Sequence, residues 1–288
     1  IRNNIEGYKQ GLEQAVNAGY AVLERGGPAA EAVEAAIRVL EDNPHFNAGR
    51  GAALNEYGEV EMCASMMNGA DENAGAVAIV KGVKNPITLA RAVMEKTKHT
   101  YIGSEGAIEF ARQQGLRMED ESYFITEHAR DEYRKAKEEQ EHDTSATAKK
   151  HGTVGAVALD AEGNLAAGTS TGGLDLCKRG RIADSSMIGV GTYAHNETCA
   201  VSTTGEGEFH IRHVTAFHIA ALIEYKGLSL EEACHFLIHE KCKHIKADMG
   251  LIGVDPSGEL VAAYNTERMH RGFRSSTQPL KVAIYPGE

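Results

Sequence analysis

The texture of this 288-residue chain changes at Gly152-Thr153. Ahead of that dipeptide, apolar residues recur mainly at helical spacing; behind it they recur in short strand-like runs separated by turns. In residues 5–25, Leu12, Ala15, Val16, Gly19 and Leu23 share one face of an amphipathic helix. Gly26-Gly27 stops it, and Pro28 suits the first turn of the next helix. That helix sets Val33, Ala36, Ile37 and Leu40 on one stripe before Asn43-Pro44 ends it. Alternation around Leu54 and Val60, with Gly58 in the turn, predicts a hairpin. The apolar run 74–80 reads as a buried strand, and further helices follow at 88–96 and 104–114. Residues 131–142 are rich in Lys and Glu and read as helical, and the small polar stretch 143–148 predicts a mobile linker.

Behind Thr153, residues 154–159 and 165–170 form a hairpin around the turn 160–164, and a similar unit recurs at 250–265. Between the hairpins lie a helix over 209–225 and a second one opened by the Ser229/Glu232 capping box. This order of elements predicts an α+β chain with sheet packed on sheet and helices outside. Residues 1–152 and 153–288 read as two halves of one domain.

Composition narrows the function. Hydrophobic residues are 42% and charged residues 25%, as in soluble globular domains. A net charge of -11 argues against a nucleic-acid binder and against a polybasic membrane-surface protein. No apolar run approaches the roughly 20 residues of a membrane span, and residues 1–4 do not read as a signal peptide. Five scattered cysteines make no disulfide framework, so a reducing, cytoplasmic setting is expected.

The chemistry gathers around Thr153. If the Gly152–Thr153 bond is cut, Thr153 carries a hydroxyl nucleophile beside its own free amine, which can serve as its base. An α-amino group titrates at about 7.7–8.0, close to working pH. Downstream, Gly168-Thr169-Ser170-Thr171-Gly172-Gly173 crowds hydroxyls and glycines after a strand. Gly180-Arg181-Ile182-Ala183-Asp184-Ser185 offers a cation and an anion. Ser202-Thr203-Thr204-Gly205-Glu206-Gly207-Glu208 closes another strand just ahead of a helix. Glycines there let backbone N–H groups approach a ligand, as an oxyanion hole requires.

These motifs resemble those of the plant-type L-asparaginases, also called isoaspartyl peptidases, which are N-terminal-nucleophile hydrolases. The upstream runs Asn43-Pro44-His45-Phe46-Asn47-Ala48-Gly49-Arg50-Gly51 and Met62-Cys63-Ala64-Ser65-Met66-Met67-Asn68-Gly69 are similar to the same family. The resemblance spans essentially the whole chain, in the family's order. It implies a four-layer αββα sandwich, self-cleavage between Gly152 and Thr153, and a homodimer of the resulting αβ units. It further implies that Thr153 is the nucleophile, oriented by Thr171, and that Thr204 and Gly205 hold the oxyanion, with Asn47 beside them. Arg181 then takes the substrate α-carboxylate and Asp184 its α-ammonium, next to Gly207. The substrates implied are L-asparagine and β-aspartyl dipeptides. The family's structural sodium loop falls on the backbone carbonyls of Leu40, Glu41, Asn43, Phe46, Ala48 and Arg50, and residues 93–101 resemble a loop that binds potassium in some plant members.

The chain departs from the family at several places. Family members often carry Asp where Cys63 and Asn68 stand and Gly where Ala183 stands. They begin with a strand bearing His-Gly-Gly, whereas these residues open at the first helix. Other readings compete with this one. Gly168-Thr169-Ser170-Thr171-Gly172 fits the G-x-S-x-G pattern and makes Ser170 a hydrolase nucleophile, provided a helix follows it. Cys234, His235, His239, Cys242 and His244 form a late cluster that could hold a metal, without a C-x-x-C or H-E-x-x-H pattern. Arg181 and Asp184 could form an ordinary surface ion pair, and the chain could be an unprocessed, non-enzymatic relative.

Overall fold

The computed structural model describes residues 5–142, 152–245 and 247–288. Helix α1 (Ile5–Glu24) packs along α2 (Ala29–Asp42). The stripe read from the sequence is the buried one in α2: Val33, Ala36, Ile37 and Leu40 all face inward. Pro28 is the cap residue of α2 rather than part of its first turn, with φ −74° and ψ 152°. The N-terminus of α2 is pinned from across the fold, where Asp160 Oδ2 accepts the Ala29 N–H at 3.0 Å. A carboxylate at that end also meets the positive pole of the helix.

Under these helices lies a mostly antiparallel sheet in the order β3-β2-β1-β5-β4. Its strands are β1 (Met62–Asn68), β2 (Ala74–Val80), β3 (Tyr101–Gly103), β4 (Val154–Leu159) and β5 (Leu165–Thr171). Helices α3 (Pro86–Lys96) and α4 (Ser104–Gln113) pack Leu89, Val93 and Ala107 onto β1 and β2. The short α5 (Glu121–Phe124) and the charged α6 (Glu127–His142) follow. A second sheet runs β6-β7-β8-β9, from β6 (Thr192–His195), β7 (Cys199–Gly205), β8 (Met249–Val254) and β9 (Leu260–Tyr264). Helices α7 (Gly207–His213), α8 (Thr215–Lys226) and α9 (Leu230–His235) bury Phe209, Ile219 and Leu230 against its outer face. A ribbon of β10 (Arg271–Phe273) and β11 (Lys281–Ala283) lies against α1. Leu12, Val16, Ala156, Ala158 and Gly272 line an apolar groove of about 240 Å³ between α1, β4, β9 and β10.

The inner faces of the two sheets meet through Met67, Leu165 and Ala167 on one side and Ala194, Ala200 and Val254 on the other. Buried hydroxyls cross the same interface. Thr169 reaches Ser202 at 2.7 Å and Thr192 at 2.6 Å, and Thr192 reaches Ser65 at 2.8 Å. The Thr169 hydroxyl donates to the Gly191 carbonyl and that of Ser65 to the Ser185 carbonyl.

Two sequence expectations change, the hairpin around Gly58 and the single helix over 209–225. The turn at Gly58 forms, with φ +78°, but no strands flank it. Its backbone bonds instead to the loop at 174–177, through Leu176 N–H to Leu54 O and Glu56 N–H to Cys177 O. Strand β1 carries no alternation because six of its seven residues are buried on both faces. The helix expected over 209–225 is two helices, broken at Val214. The linker expected at 143–148 lies outside the described residues. Among the described residues no helix is long and apolar enough to cross a membrane.

Candidate active site

Thr153 stands at the mouth of β4, and two other strands reach it. Its backbone N–H lies 3.1 Å from Thr204 Oγ1 on β7, and its hydroxyl lies 3.3 Å from Thr171 Oγ1 at the end of β5. The Gly173 N–H donates to the same Thr171 oxygen at 3.1 Å, which anchors that hydroxyl oxygen beside Thr153. Asn47, in the loop after α2, donates from Nδ2 to the Gly152 carbonyl at 2.9 Å and to the Gly173 carbonyl at 2.8 Å. Its Oδ1 accepts the Ala53 N–H at 2.8 Å, so the amide is locked in orientation. The scissile candidate Gly152–Thr153 thus has a donor on its carbonyl and hydroxyl partners around its threonine.

Glycines make room for this convergence. A Cβ on Gly155 would sit 1.9 Å from Ser202 Oγ, so only glycine lets β4 come this close to β7. Gly205 has φ +121°, and a Cβ there would lie 2.2 Å from the Asp248 carbonyl. The Thr203 N–H donates to Gly191 O and the Glu206 N–H to Asp248 O, on opposite edges of β7. Strand alternation therefore turns the Gly205 N–H to the Thr203 edge, past the end of β6. Thr153, Thr204 and Gly205 open into a cavity of about 780 Å³ that Tyr8, Phe46, Asn265 and His270 also line.

Arg181 and Asp184 both come to Gly207. A Cβ on Gly207 would lie 2.6 Å from Asp184 Oδ1 and 2.9 Å from Arg181 Nη2. They are not a surface ion pair. Asp184 is 4% exposed, and its carboxylate accepts from the Thr203 hydroxyl at 3.2 Å. Burial raises its pKa, opposed by the fields of His210 and Arg181. Arg181 instead pairs with Glu208, which accepts from Nε at 2.7 Å and from Nη2 at 2.8 Å. This fork holds Glu208 below the usual carboxylate range and leaves Nη1 on the side of Gly173. Ala183 fills a small core with Cys63 and Ala78 behind the pair. The sequence reading missed Glu208 as a partner, although it stands in the quoted motif; a carboxylate four residues after Thr204 carries no signal of which cation it meets.

The loop after α2 carries the residues expected to hold a cation. Phe46 and Ala48 are buried, and their carbonyls accept no hydrogen bond among the described residues. Carbonyl oxygens are ligands that suit a hard cation. The carbonyls of Leu40, Glu41 and Asn43 each accept a loop N–H, from Asn43, Arg50 and Phe46, and keep a second lone pair. The Glu41 side chain is fully buried, and its pKa is pushed up to about 8 by burial, against hydrogen bonds from Ser170 and the Ile87 N–H.

Two alternatives lose their geometry. Ser170 is fully buried, its hydroxyl donates to Glu41 at 2.7 Å, and β5 runs on through Thr171 with no helix after it. It has neither the exposure nor the turn of a nucleophile elbow. Cys234 and Cys242 are buried in the core behind the second sheet. Among the described residues no cluster of His, Cys, Asp and Glu is placed to hold a metal.

A chain of mixed helices and sheets thus brings hydroxyls from separate strands onto one glycine–threonine bond. Residues 2–284 match the family described as asparaginase. The chain is 44% identical to a Bos taurus protein named isoaspartyl peptidase/L-asparaginase, over 92% of this chain and 85% of the relative. It is 42% identical to an Arabidopsis thaliana protein named probable isoaspartyl peptidase/L-asparaginase 2, over 96% and 92%. Identity to a Salmonella typhimurium isoaspartyl peptidase is also 42%, over 96% and 91%. The chain belongs to the asparaginase family.

Proposed function

We propose that this protein is an autoprocessing threonine hydrolase that cleaves β-aspartyl amide bonds, in isoaspartyl dipeptides and in the side chain of L-asparagine, releasing L-aspartate. The observation that carries the reading is the Gly152–Thr153 unit. Asn47 holds its carbonyl, and Thr171 and Thr204 hold its hydroxyl and nitrogen. The names of the family relatives support the substrate class.

In self-cleavage the Thr153 hydroxyl attacks the Gly152 carbonyl while Asn47 Nδ2 takes the developing charge. The acyl group passes from nitrogen to oxygen, and water hydrolyses the ester. Residues 1–152 and 153–288 become the two subunits of one four-layer αββα domain. The freed Thr153 amine then removes the proton from its own hydroxyl, which attacks the substrate β-carbonyl. The Thr204 hydroxyl and the Gly205 N–H hold the oxyanion, and Thr171 aligns the nucleophile. Ammonia or an amino acid leaves, and water releases aspartate. Glu208 fixes Arg181 so that its remaining N–H groups meet the α-carboxylate, and buried Asp184 meets the α-ammonium beside Gly207. Leu40, Glu41, Asn43, Phe46, Ala48 and Arg50 hold a sodium ion that stiffens the loop carrying Asn47. The stretch 93–101 is the candidate for potassium. The αβ units pair as a homodimer, and five free thiols suit a cytoplasmic enzyme.

The test is an intact mass and N-terminal sequence of the purified protein, with an assay for aspartate release. The expected result is two fragments, one beginning at Thr153, and a Thr153→Ala variant that neither cuts nor hydrolyses. An uncut chain that still hydrolyses, or an active Thr153→Ala variant, overturns the reading.

A further inference from the structure

Behind the proposed oxyanion donors lies a buried imidazole that the mechanism above leaves idle. His210 on α7 is 0% exposed. Its Nε2 lies 2.9 Å from the Thr204 carbonyl oxygen, and its Nδ1 lies 3.1 Å from the Thr215 hydroxyl. A carbonyl can only accept, so Nε2 carries a proton; in the neutral ring Nδ1 then accepts from Thr215. The ring is therefore held between β7 and the first residue of α8.

The backbone breaks beside this contact. Val214 separates α7 from α8 with φ +48° and ψ 52°, a left-handed conformation that is costly for a β-branched residue. In one continuous helix, residues 210 and 215 would lie roughly 140° apart around the axis. The break turns Thr215 back onto His210. The same break also brings the Ala216 and Phe217 N–H groups onto the Val190 and Gly189 carbonyls, so the His210–Thr215 bond is one of several contacts made there.

We propose that His210 is a positioning residue of the oxyanion site, acting through the Thr204–Gly205 peptide. In a trans peptide the C=O and the N–H point in opposite directions. A donor on the Thr204 oxygen draws electron density along the unit and makes the Gly205 N–H a stronger donor, while it fixes the tilt of the peptide plane. Thr215, His210 and the peptide form a chain of bonds that ends at the oxyanion, and such chains polarise one another. The inference rests on the assignment of Gly205 N–H as an oxyanion donor. It separates two reactions of one nucleophile. During self-cleavage the Gly152 oxygen is on Asn47 Nδ2, so processing does not draw on His210, whereas substrate hydrolysis does.

One oxyanion donor is worth roughly 100- to 1,000-fold in kcat, and polarisation strengthens a bond by roughly 10–30%. That share of the barrier corresponds to a fall of about 2- to 8-fold in kcat. The experiment compares wild type, His210→Phe and His210→Gln in two assays. One is the rate of cutting at Thr153, followed by intact mass; the other is kcat and KM of the processed enzyme on a β-aspartyl dipeptide. Phe keeps a ring without a donor, and it is expected to process at the wild-type rate and to lose kcat about 2- to 8-fold with KM within about twofold. Gln places an N–H near the position of Nε2 and is expected to recover most of the lost kcat. A Phe variant with wild-type kcat, a Gln variant as slow as Phe, or processing and hydrolysis slowed in the same proportion overturns the proposal. If the Phe variant does not fold, the ¹⁵N shifts of His210 in the wild-type enzyme still decide. A protonated Nε2 is expected, and a neutral ring protonated only on Nδ1 overturns the proposal. A wild-type protein that never cuts at Thr153, or hydrolysis that survives Thr153→Ala, refutes the underlying function instead.

Discussion

Asn47→Asp is the sharpest perturbation of the proposed self-cleavage. The change keeps the size of the side chain and an oxygen to accept the Ala53 N–H. It removes both donations from Nδ2, at 2.9 Å to the Gly152 carbonyl and at 2.8 Å to the Gly173 carbonyl. A carboxylate oxygen then faces two carbonyl oxygens in a site only 9% exposed. The Gly173 carbonyl left without a partner costs about 1–3 kcal/mol of stability. For a chain of this size that lowers the melting temperature by about 2–4 °C per kcal/mol. Loss of a donor to the developing oxyanion costs about 100- to 1,000-fold in rate, or roughly 3–4 kcal/mol of barrier. The two effects differ enough in size to be separated. Intact mass over days of incubation is expected to show the 31.0 kDa chain accumulating uncut, while thermal melting reports a folded protein. An Asn47→Asp protein that folds and cuts within about threefold of the wild-type rate would refute the role assigned to this amide.

Gly207→Ala places a methyl 2.6 Å from Asp184 Oδ1 and 2.9 Å from Arg181 Nη2. It is expected to raise KM for β-aspartyl dipeptides at least about tenfold with cutting at Thr153 intact, since a methyl beside the clamp displaces groups that only substrate uses; an unchanged KM contradicts the clamp. Gly155→Ala drives a methyl to within 1.9 Å of Ser202 Oγ and is expected to cost about 1–3 kcal/mol in urea unfolding, a loss that a fully stable variant would disprove. His270 stacks on Tyr8 at 4.4 Å, and its pKa is pushed down to about 4 by burial and then by Arg268, from 6.5. Its contribution to stability is therefore fully present above pH 6.5 and is lost as the pH falls through about 4. Between pH 7 and pH 4.5 that amounts to about 2 kcal/mol. His270→Phe keeps the stacking and is expected to flatten that slope in unfolding titrations; an undiminished slope assigns the acid sensitivity to other groups.

Local chemistry was legible wherever a pattern repeats within a few residues. The apolar stripe of α2, the run of β2, the capping box of Ser229 and Glu232, and the turn between β4 and β5 all stand where the sequence places them. In the site, Asn47, Thr153, Thr171 and Thr204 were legible as motifs and converge in space. Contacts decided by tertiary packing were not. The strand β1 hides because burial on both faces erases alternation. Gly58 signals a turn, but a turn does not announce that its flanks will bond to a loop 120 residues away. The break at Val214 is invisible because valine prefers other backbone angles, and the contacts that accompany it, from His210 to Thr204 and Thr215 and from the start of α8 to Gly189 and Val190, are all tertiary. Glu208 was legible as a charge, not as the partner of Arg181.

The hydroxyls that cross between the sheets also constrain how such a chain can diverge. Apolar contacts between two sheets tolerate one aliphatic residue for another. The chain of Ser65, Thr192, Thr169 and Ser202 does not, because each oxygen serves as a neighbour's donor or acceptor. Replacement of Thr169 alone by valine removes a partner of Ser202 and one of the two hydroxyl partners of Thr192 in a buried interface, and each loss adds its own cost. A descendant that carries an aliphatic residue at one of them is expected to carry compensating changes at the others.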